Sequence, residues 1–392
     1  MGKVFNDKPK SVIYVQYSNP AAYPPILHGT RILADLGWQI QMLGTTSDGA
    51  ATLSVPPHDL VTVKTRPLPP VGPARRLHYA RFVAAAVREV ARARPSWVYA
   101  SDPLTAPVAV AVKRLGLSQV LYHEHDAPSP AAANTVFMKY VYAARRAAVR
   151  VADVIVVPNE ERLAKLVAES GRRGPSVCVW NCPSVDEVAA SRAALDSPLT
   201  LYYHGSLNNA RLPFTVLEAM SRVEHPLRLL AIGYETIESR GYREAFQQEA
   251  RRLGLGDRVQ FDGPLDHRKD LMMASRKTDV GLAMMPLNSD DSNMSSMTGA
   301  SNKAFDYLAG GLALVVSDLP DWRNFYVAPG YGLSANPDDA GSLAAAFGRL
   351  ASNPTITRRM GEEGRIRIAK EWNYETQFSA VLALLNVPSH NQ

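Results

Sequence analysis

The chain has 392 residues, of which 46% are hydrophobic and 20% charged, and a formal net charge of +6. These values fit an ordinary globular protein of more than one domain and exclude a disordered chain, a collagen or a coiled coil. Two cysteines, Cys178 and Cys182, are too few for a disulfide framework and have no clustered histidines to make a zinc site.

The N-terminal MGKVFNDKPKSVIYVQYS lacks the apolar core of a signal peptide. Asn6 stands where a myristoylation signal needs Ser or Thr, and no 18-residue apolar run follows anywhere. A cytoplasmic, reducing location is the expectation. Strands are expected at 11–18, 40–44, 96–101, 119–125, 153–159 and 176–182, with helical patterns near 26–36, 74–94, 104–115, 134–151 and 160–170. Near-continuous apolar runs such as VIYV and VIVV suit parallel strands that helices cover on both faces. The polar, proline-bounded stretch 183–198 reads as a linker. A second series of strands follows at 199–205, 227–233, 259–263, 279–285 and 313–318, and a last helix near 373–386. The fold class is therefore α/β, with two Rossmann-like doubly wound domains facing a cleft.

Charge divides along the same line. Residues 1–184 carry 22 Lys and Arg against 12 Asp and Glu, and the remainder carries 21 against 25. Either the halves meet different partners, or the difference is solvated surface without a task.

The first βα loop, Asn19-Pro20-Ala21-Ala22-Tyr23-Pro24-Pro25, has no glycine, and neither G-x-G-x-x-G nor a P-loop motif opens a helix anywhere. A nicotinamide dehydrogenase or P-loop enzyme is not expected. In the second half, Gly205-Ser206 leads into a loop with Arg211, where a tight strand exit, helix-start amides and a guanidinium could bind an anion. Ser301-Asn302-Lys303 opens a further helix. Ser301 is a good N-cap, and Lys303 has the wrong sign for the helix dipole unless an anion binds there. Asp306 follows, where a carboxylate could accept hydrogen bonds from two ribose hydroxyls. Each feature alone is equally compatible with an ordinary surface residue.

In order along nearly the whole chain, LADLGWQIQML, ADVIVVPNEERLAKL, YYHGSLNNARL, RVQFDGPLD, TDVGLAMMP, SNKAFDYLAGGLALVVSDLP and EWNYETQ resemble a retaining GT-B glycosyltransferase of family four (glycosyl transferases group 1). The resemblance implies an acceptor-binding domain at 1–184, a linker at 185–198 and a nucleotide-sugar-binding domain at 199–370. It further implies that 371–392 forms a helix packing back on the first domain. Arg211 falls at the family's diphosphate-binding cation, Ser206 replaces an arginine that often follows the glycine, and Asp306 replaces the second Glu of the E-x7-E motif. Thr298 stands at the first. Gly205, Gly263, Ser301, Asn302 and Lys303 complete the implied donor site. His125 corresponds to a donor-sugar contact, with His123 as the second choice; Asp126, Tyr23 and Thr298 would line the sugar or acceptor pocket. His125, Arg211 and Lys303 are the implied catalytic residues.

The implied reaction moves a sugar from a nucleoside diphosphate donor to an acceptor hydroxyl with retention, in polysaccharide, glycolipid or other glycoconjugate synthesis. Neither a cofactor nor a metal is expected; the tract Ser289-Asp290-Asp291-Ser292 reads as a polar loop. The expected partners are the donor, an unidentified glycan, lipid-linked or small-molecule acceptor, and an anionic membrane surface met by the basic helices. Nucleic acid is not expected. Two alternatives stand beside this reading: a GT-B-like binding or partner subunit without catalysis, as Thr298 allows, and a nucleotide-sugar epimerase.

Overall fold

The computed structural model describes residues 10–46, 53–127, 135–191 and 198–386. The described chain forms two compact units: one holds the residues up to Trp180 together with those from Gln377 on, and the other is Asn181–Thr376. The N-terminal nine residues, the start of the helical pattern at 134, and 192–197 of the expected linker lie outside the described residues.

The first unit contains β1 (Ser11–Gln16), α1 (Pro24–Asp35), β2 (Gln39–Thr45), β3 (Val61–Arg66), α2 (Pro73–Ala93), β4 (Trp97–Ser101), α3 (Ala106–Arg114), β5 (Gln119–His123), α4 (Val136–Val151), β6 (Val154–Val157), α5 (Glu160–Ser170) and β7 (Ser176–Cys178). Its strands form one parallel sheet in the order β3-β2-β1-β4-β5-β6-β7. All residues of β4 and β6 are buried, as a sheet covered on both faces requires.

Local chemistry sets the helix ends. Asn159 caps α5 by accepting from Arg162 N at 2.9 Å, Glu160 and Glu161 suit the first turn, and Gly171 ends the helix at φ 67. The glycine-free first loop is a 3-10 turn, Pro20–Ala22, in which the Asn19 side chain accepts from Ala21 N at 3.0 Å.

The second unit holds β8 (Leu199–Ser206), α6 (Thr215–Arg222), β9 (Leu227–Tyr234), α7 (Tyr242–Arg252), β10 (Val259–Asp262), α8 (Arg268–Ser275), β11 (Val280–Ala283), α9 (Ser292–Ser295), α10 (Asn302–Ala309), β12 (Ala313–Ser317), α11 (Pro320–Trp322), β13 (Gly332–Ala335), α12 (Ala340–Ala351) and α13 (Pro354–Lys370). Its parallel sheet runs β10-β9-β8-β11-β12-β13. Gly281 in β11 has a packing reason: a Cβ there would fall 2.3 Å from the Tyr307 ring, so α10 lies tight against the sheet.

α14 (Tyr374–Leu385) spans the boundary between the units. Tyr374 N donates to Pro183 O within the second unit, and Lys10 Nζ donates to Asn386 Oδ1 just beyond the helix within the first.

Two strands were absent from the sequence reading. β3 is an edge strand, VTVKTR, exposed over most of its length, so no buried alternation marks it. β13 is only four residues, GLSA. Residues 183–189, read as linker, are instead tied into the second unit. A 3-10 turn spans Val185–Glu187, Ala189 N donates to Ala309 O, and Arg365 donates to Ala189 O.

Candidate functional site

In both sheets the strand order reverses, between β1 and β4 and between β8 and β11. At such a switch point the chain leaves a crevice beyond the carboxyl ends of the strands, where ligands bind.

In the second unit, Gly205, the last residue but one of β8, takes φ 120, a conformation that side-chain-bearing residues rarely take. A Cβ on Gly205 would come 3.0 Å from Lys303 Cε and 3.1 Å from its Nζ, so the lysine lies over bare backbone. Lys303 Nζ is also 5.9 Å from the centre of the Tyr203 ring. Arg211, in the loop after β8, rests against Met285 Sδ at the end of β11. Burial, with the nearby Arg211 charge, pushes the Lys303 ammonium down to about 7, against the pull of Asp306. Among the described residues no carboxylate forms an ion pair with Lys303. A lysine so placed, with a second cation nearby, favours an incoming anion.

Ser301 takes the N-cap position of α10 but its side chain makes no capping bond, which leaves the first-turn amides without a side-chain acceptor. Asn302 and Ser206 are half-buried beside these groups in sequence. Gly263 is exposed past the end of β10, two strands away from β8, and a Cβ there would meet nothing.

Asp306 differs from its expected role. It is 1% exposed, and both its oxygens are taken by Arg268: Nη1 to Oδ2 at 3.0 Å and Nη2 to Oδ1 at 2.6 Å. Arg268 also binds Glu187 through Nε at 2.6 Å and Nη2 at 3.0 Å, and His204 Nε2 lies 3.4 Å from Asp306 Oδ2. Burial alone would push the Asp306 carboxyl up, but the Arg268 charge and the His204 contact hold it below the usual range. A buried carboxylate needs such a partner, so its charge serves this interior array instead of standing open to a ribose. Thr298, where the motif's first Glu was expected, donates to the Asp321 carboxylate at the start of α11.

In the first unit, alternation sends His123 and His125 to one side, as their spacing predicts; their rings lie 3.8 Å apart. Glu124 between them faces Arg145 on α4, with bonds of 2.5 and 2.6 Å. The Tyr99 hydroxyl meets His123 Nδ1, and the Tyr23 ring is 5.2 Å from that of His125. Burial lowers both imidazoles, His125 to about 4, so both are neutral at pH 7. Neither ring nitrogen of His125 has a hydrogen-bond partner among the described residues. Asp126 is exposed. Asp102, at the end of β4, escaped the sequence reading. It accepts from His125 N at 2.9 Å and from Gln16 Nε2 at 3.2 Å. The sequence signal would have been an acid at a switch-point strand end.

Among the described residues no group of three His, Cys, Asp or Glu is placed to hold a metal ion, and no helix is long and apolar enough to cross a membrane.

Residues 198–353 match the family model "Glycosyl transferases group 1". The glycogen synthase of Mycobacterium tuberculosis (strain CDC 1551 / Oshkosh) is 23% identical over 193 residues, which are 49% of this chain and 43% of that protein. The match thus spans less than half the length of this curated relative. Among solved structures, the sucrose-phosphate synthase of Thermosynechococcus elongatus is similar with a TM-score of 0.71 at 17% identity, covering 95% of this chain and 97% of that one. Anabaena HepE, solved with UDP and glucose, gives 0.72 at 15% over 96% and 99%. The E. coli trehalose-6-phosphate structure with bound UDP-2-fluoro glucose gives 0.69 at 15% over 96% and 99%. The chain therefore has the GT-B fold, and its residues 198–353 match the glycosyl transferases group 1 model.

Proposed function

We propose that this chain transfers a sugar from a nucleoside diphosphate donor to an acceptor hydroxyl, with retention of anomeric configuration, in glycoconjugate synthesis. The observation that carries the reading is Lys303 lying over the bare backbone of Gly205, with Arg211 close enough to lower its pKa, inside a group 1 domain. Preorganised cations at that place stabilise the charge that grows on a leaving diphosphate. Ser206, Asn302 and the open amides at the start of α10 would add hydrogen bonds to it. His125 offers neutral ring nitrogens to a sugar hydroxyl. Solved neighbours hold UDP, UDP-glucose or UDP-2-fluoro glucose, which makes a uridine diphosphate sugar the first donor to try.

The carboxylates near Lys303 in sequence or fold are engaged, Asp306 by Arg268 and Asp321 by Thr298. Front-face substitution is the reading that needs no enzymic nucleophile. The bond from the anomeric carbon to the phosphate oxygen breaks, the bond to the acceptor oxygen forms, and the acceptor proton passes to the departing phosphate. UDP-, GDP-, dTDP- and ADP-sugars should be screened by thermal shift, and the stabilising donor incubated with and without acceptor extracts. Release of nucleoside diphosphate only with acceptor supports transfer. Donor binding without release in any extract points to a binding subunit, and an isomerised donor sugar to an epimerase.

We also infer a peripheral contact with the inner face of an anionic membrane. α2 and α4 carry nine Lys and Arg between them, and their one acid, Glu89, is paired with Lys64 and Arg92. Vesicles rich in phosphatidylglycerol should bind the protein at low salt and release it at high salt; no sedimentation with them at low salt ends this reading.

A further inference from the structure

α10, the helix that carries Lys303, is gripped on two faces. A Cβ on Gly281 of β11 would fall 2.3 Å from the Tyr307 ring, and one on Gly364 of α13 would fall 2.3 Å from Leu308 Cδ2. Such close approach leaves the helix little room to move sideways. Sliding along its axis, or rocking at its start, has to be opposed by other bonds.

Those bonds come from residues 181–189. Asn181 N donates to Gly299 O at 2.7 Å and Asn181 Nδ2 to Ala300 O at 2.8 Å, the two carbonyls just before Ser301. Glu187 is bound by Arg268, whose other hydrogen bonds hold Asp306, one turn beyond Lys303. Ala189 N donates at 2.8 Å to the carbonyl of Ala309, the last residue of α10. The segment therefore meets the helix at its entry, its middle and its end. It is anchored in turn: Tyr374 N donates to Pro183 O at 2.9 Å, and Val185 N to Glu375 Oε2 at 3.0 Å.

Asn181 is the informative member. Its Oδ1 is buried and has no hydrogen-bond partner among the described residues. A buried amide oxygen left unpaired costs free energy that an apolar side chain of the same size would avoid. What the asparagine supplies in return is the Nδ2 donor to Ala300. Gly299 turns the chain there at φ 80, and the two bonds from Asn181 fix the carbonyls on either side of the bend's exit.

We propose that Asn181 is a positioning residue for Lys303: by holding the Gly299 and Ala300 carbonyls it sets the start of α10, and with it the ammonium over Gly205. It acts through the helix and not on the ligand. That the ligand is a diphosphate rests on the transferase reading; the placement of Lys303 does not.

The placement has a readout of its own. Burial first, then the Arg211 charge, keeps the Lys303 ammonium down at about 7 against the pull of Asp306. The groups facing it are Tyr203 and His204 from β8, Arg211 from the loop after β8, and Asp306 from α10 itself, with Arg268 of α8 behind Asp306. If the start of α10 is released, water reaches the ammonium, the largest cause of the depression weakens, and the pKa rises toward the ordinary lysine value.

Asn181→Leu keeps the size of the side chain and removes the donor. The rate at which acetic anhydride labels Lys303, followed by peptide mass spectrometry across pH 5 to 11 without nucleotide, gives the midpoint. It should lie at least about one pH unit higher in Asn181→Leu than in the wild type, with the melting temperatures within a few degrees of each other. UDP affinity at pH 6, where the ammonium is charged in both proteins, should be roughly tenfold weaker in the variant. Should Asn181→Leu not fold, Asn181→Ala and Asn181→Ser carry the same comparison. Equal midpoints in the wild type and a folded variant would overturn the proposal, as would undiminished UDP affinity in a variant whose midpoint has risen. Midpoints that differ while neither protein binds UDP or another nucleoside diphosphate would sink the transferase reading and leave Asn181 its role.

Discussion

Arg268→Ala is expected to destabilise the second unit by about 3–5 kcal/mol, the range for breaking a buried ion pair from one side. The guanidinium makes four hydrogen bonds, two to Glu187 and two to Asp306, with its side chain 15% exposed. Without it, two largely buried carboxylates face each other. Asp306 would then stay ionised against burial, with His204 as its remaining hydrogen-bonding side chain and Lys303 as a nearby charge. The pH dependence should reverse in sign. In the wild type the Asp306 carboxyl is held low, so its contribution is present above the unfolded carboxyl pKa and is lost as pH falls through the folded value. In Arg268→Ala the folded carboxyl lies high, so acidification from pH 7 to 5 should restore stability. Urea unfolding at the two pH values measures both effects. A midpoint at pH 7 equal to that of the wild type would show that the array does not hold 183–189 in place.

That array also marks where the sequence stops being legible. The central strands could be read because their signal is local: VIYV and VIVV announce burial on both faces within a few residues. The same holds for the stop at Gly310-Gly311 and the cap position at Ser301. Arg268 sits in HRKDL, an exposed-looking helix start 38 positions before Asp306, and nothing in either segment names the other. The segment around Glu187 is polar and flanked by prolines, the pattern of a linker, yet its acid caps the Ser184 amide and binds Arg268. Asp102 was invisible for a related reason. A Ser-Asp-Pro exit from a strand looks like a turn, and the positive φ that distinguishes it arises from the bonds to His123, His125 and Thr105. His123 and His125, by contrast, could be placed on one side from strand alternation alone, and Lys303 from its misfit with the helix dipole.

Lys303 carries the second large effect, on ligand affinity. Lys303→Ala should weaken binding of UDP about 30- to 100-fold, the scale of one or two charge-assisted hydrogen bonds in a partly buried site. The pH profile is the sharper test. With the ammonium near 7 in the free protein, part of the population is neutral at pH 7 and most of it at pH 8 to 9. A diphosphate binds the charged form, so binding raises this pKa and takes up a proton. UDP affinity should therefore fall as pH rises above about 7, by up to about tenfold per unit, until the pKa of the complex is reached. In this window the terminal phosphate completes its ionisation, which would strengthen binding as pH rises, and the guanidinium of Arg211 keeps its charge, so neither produces the fall. Calorimetry in two buffers of different ionisation enthalpy should detect close to one proton taken up at pH 8.5, and none in Lys303→Ala. A flat affinity profile in the wild type would place the diphosphate away from Lys303. A slope that survives in Lys303→Ala would assign the proton to another group, with His204, whose pKa burial also lowers and Lys303 lowers further, as the nearest candidate.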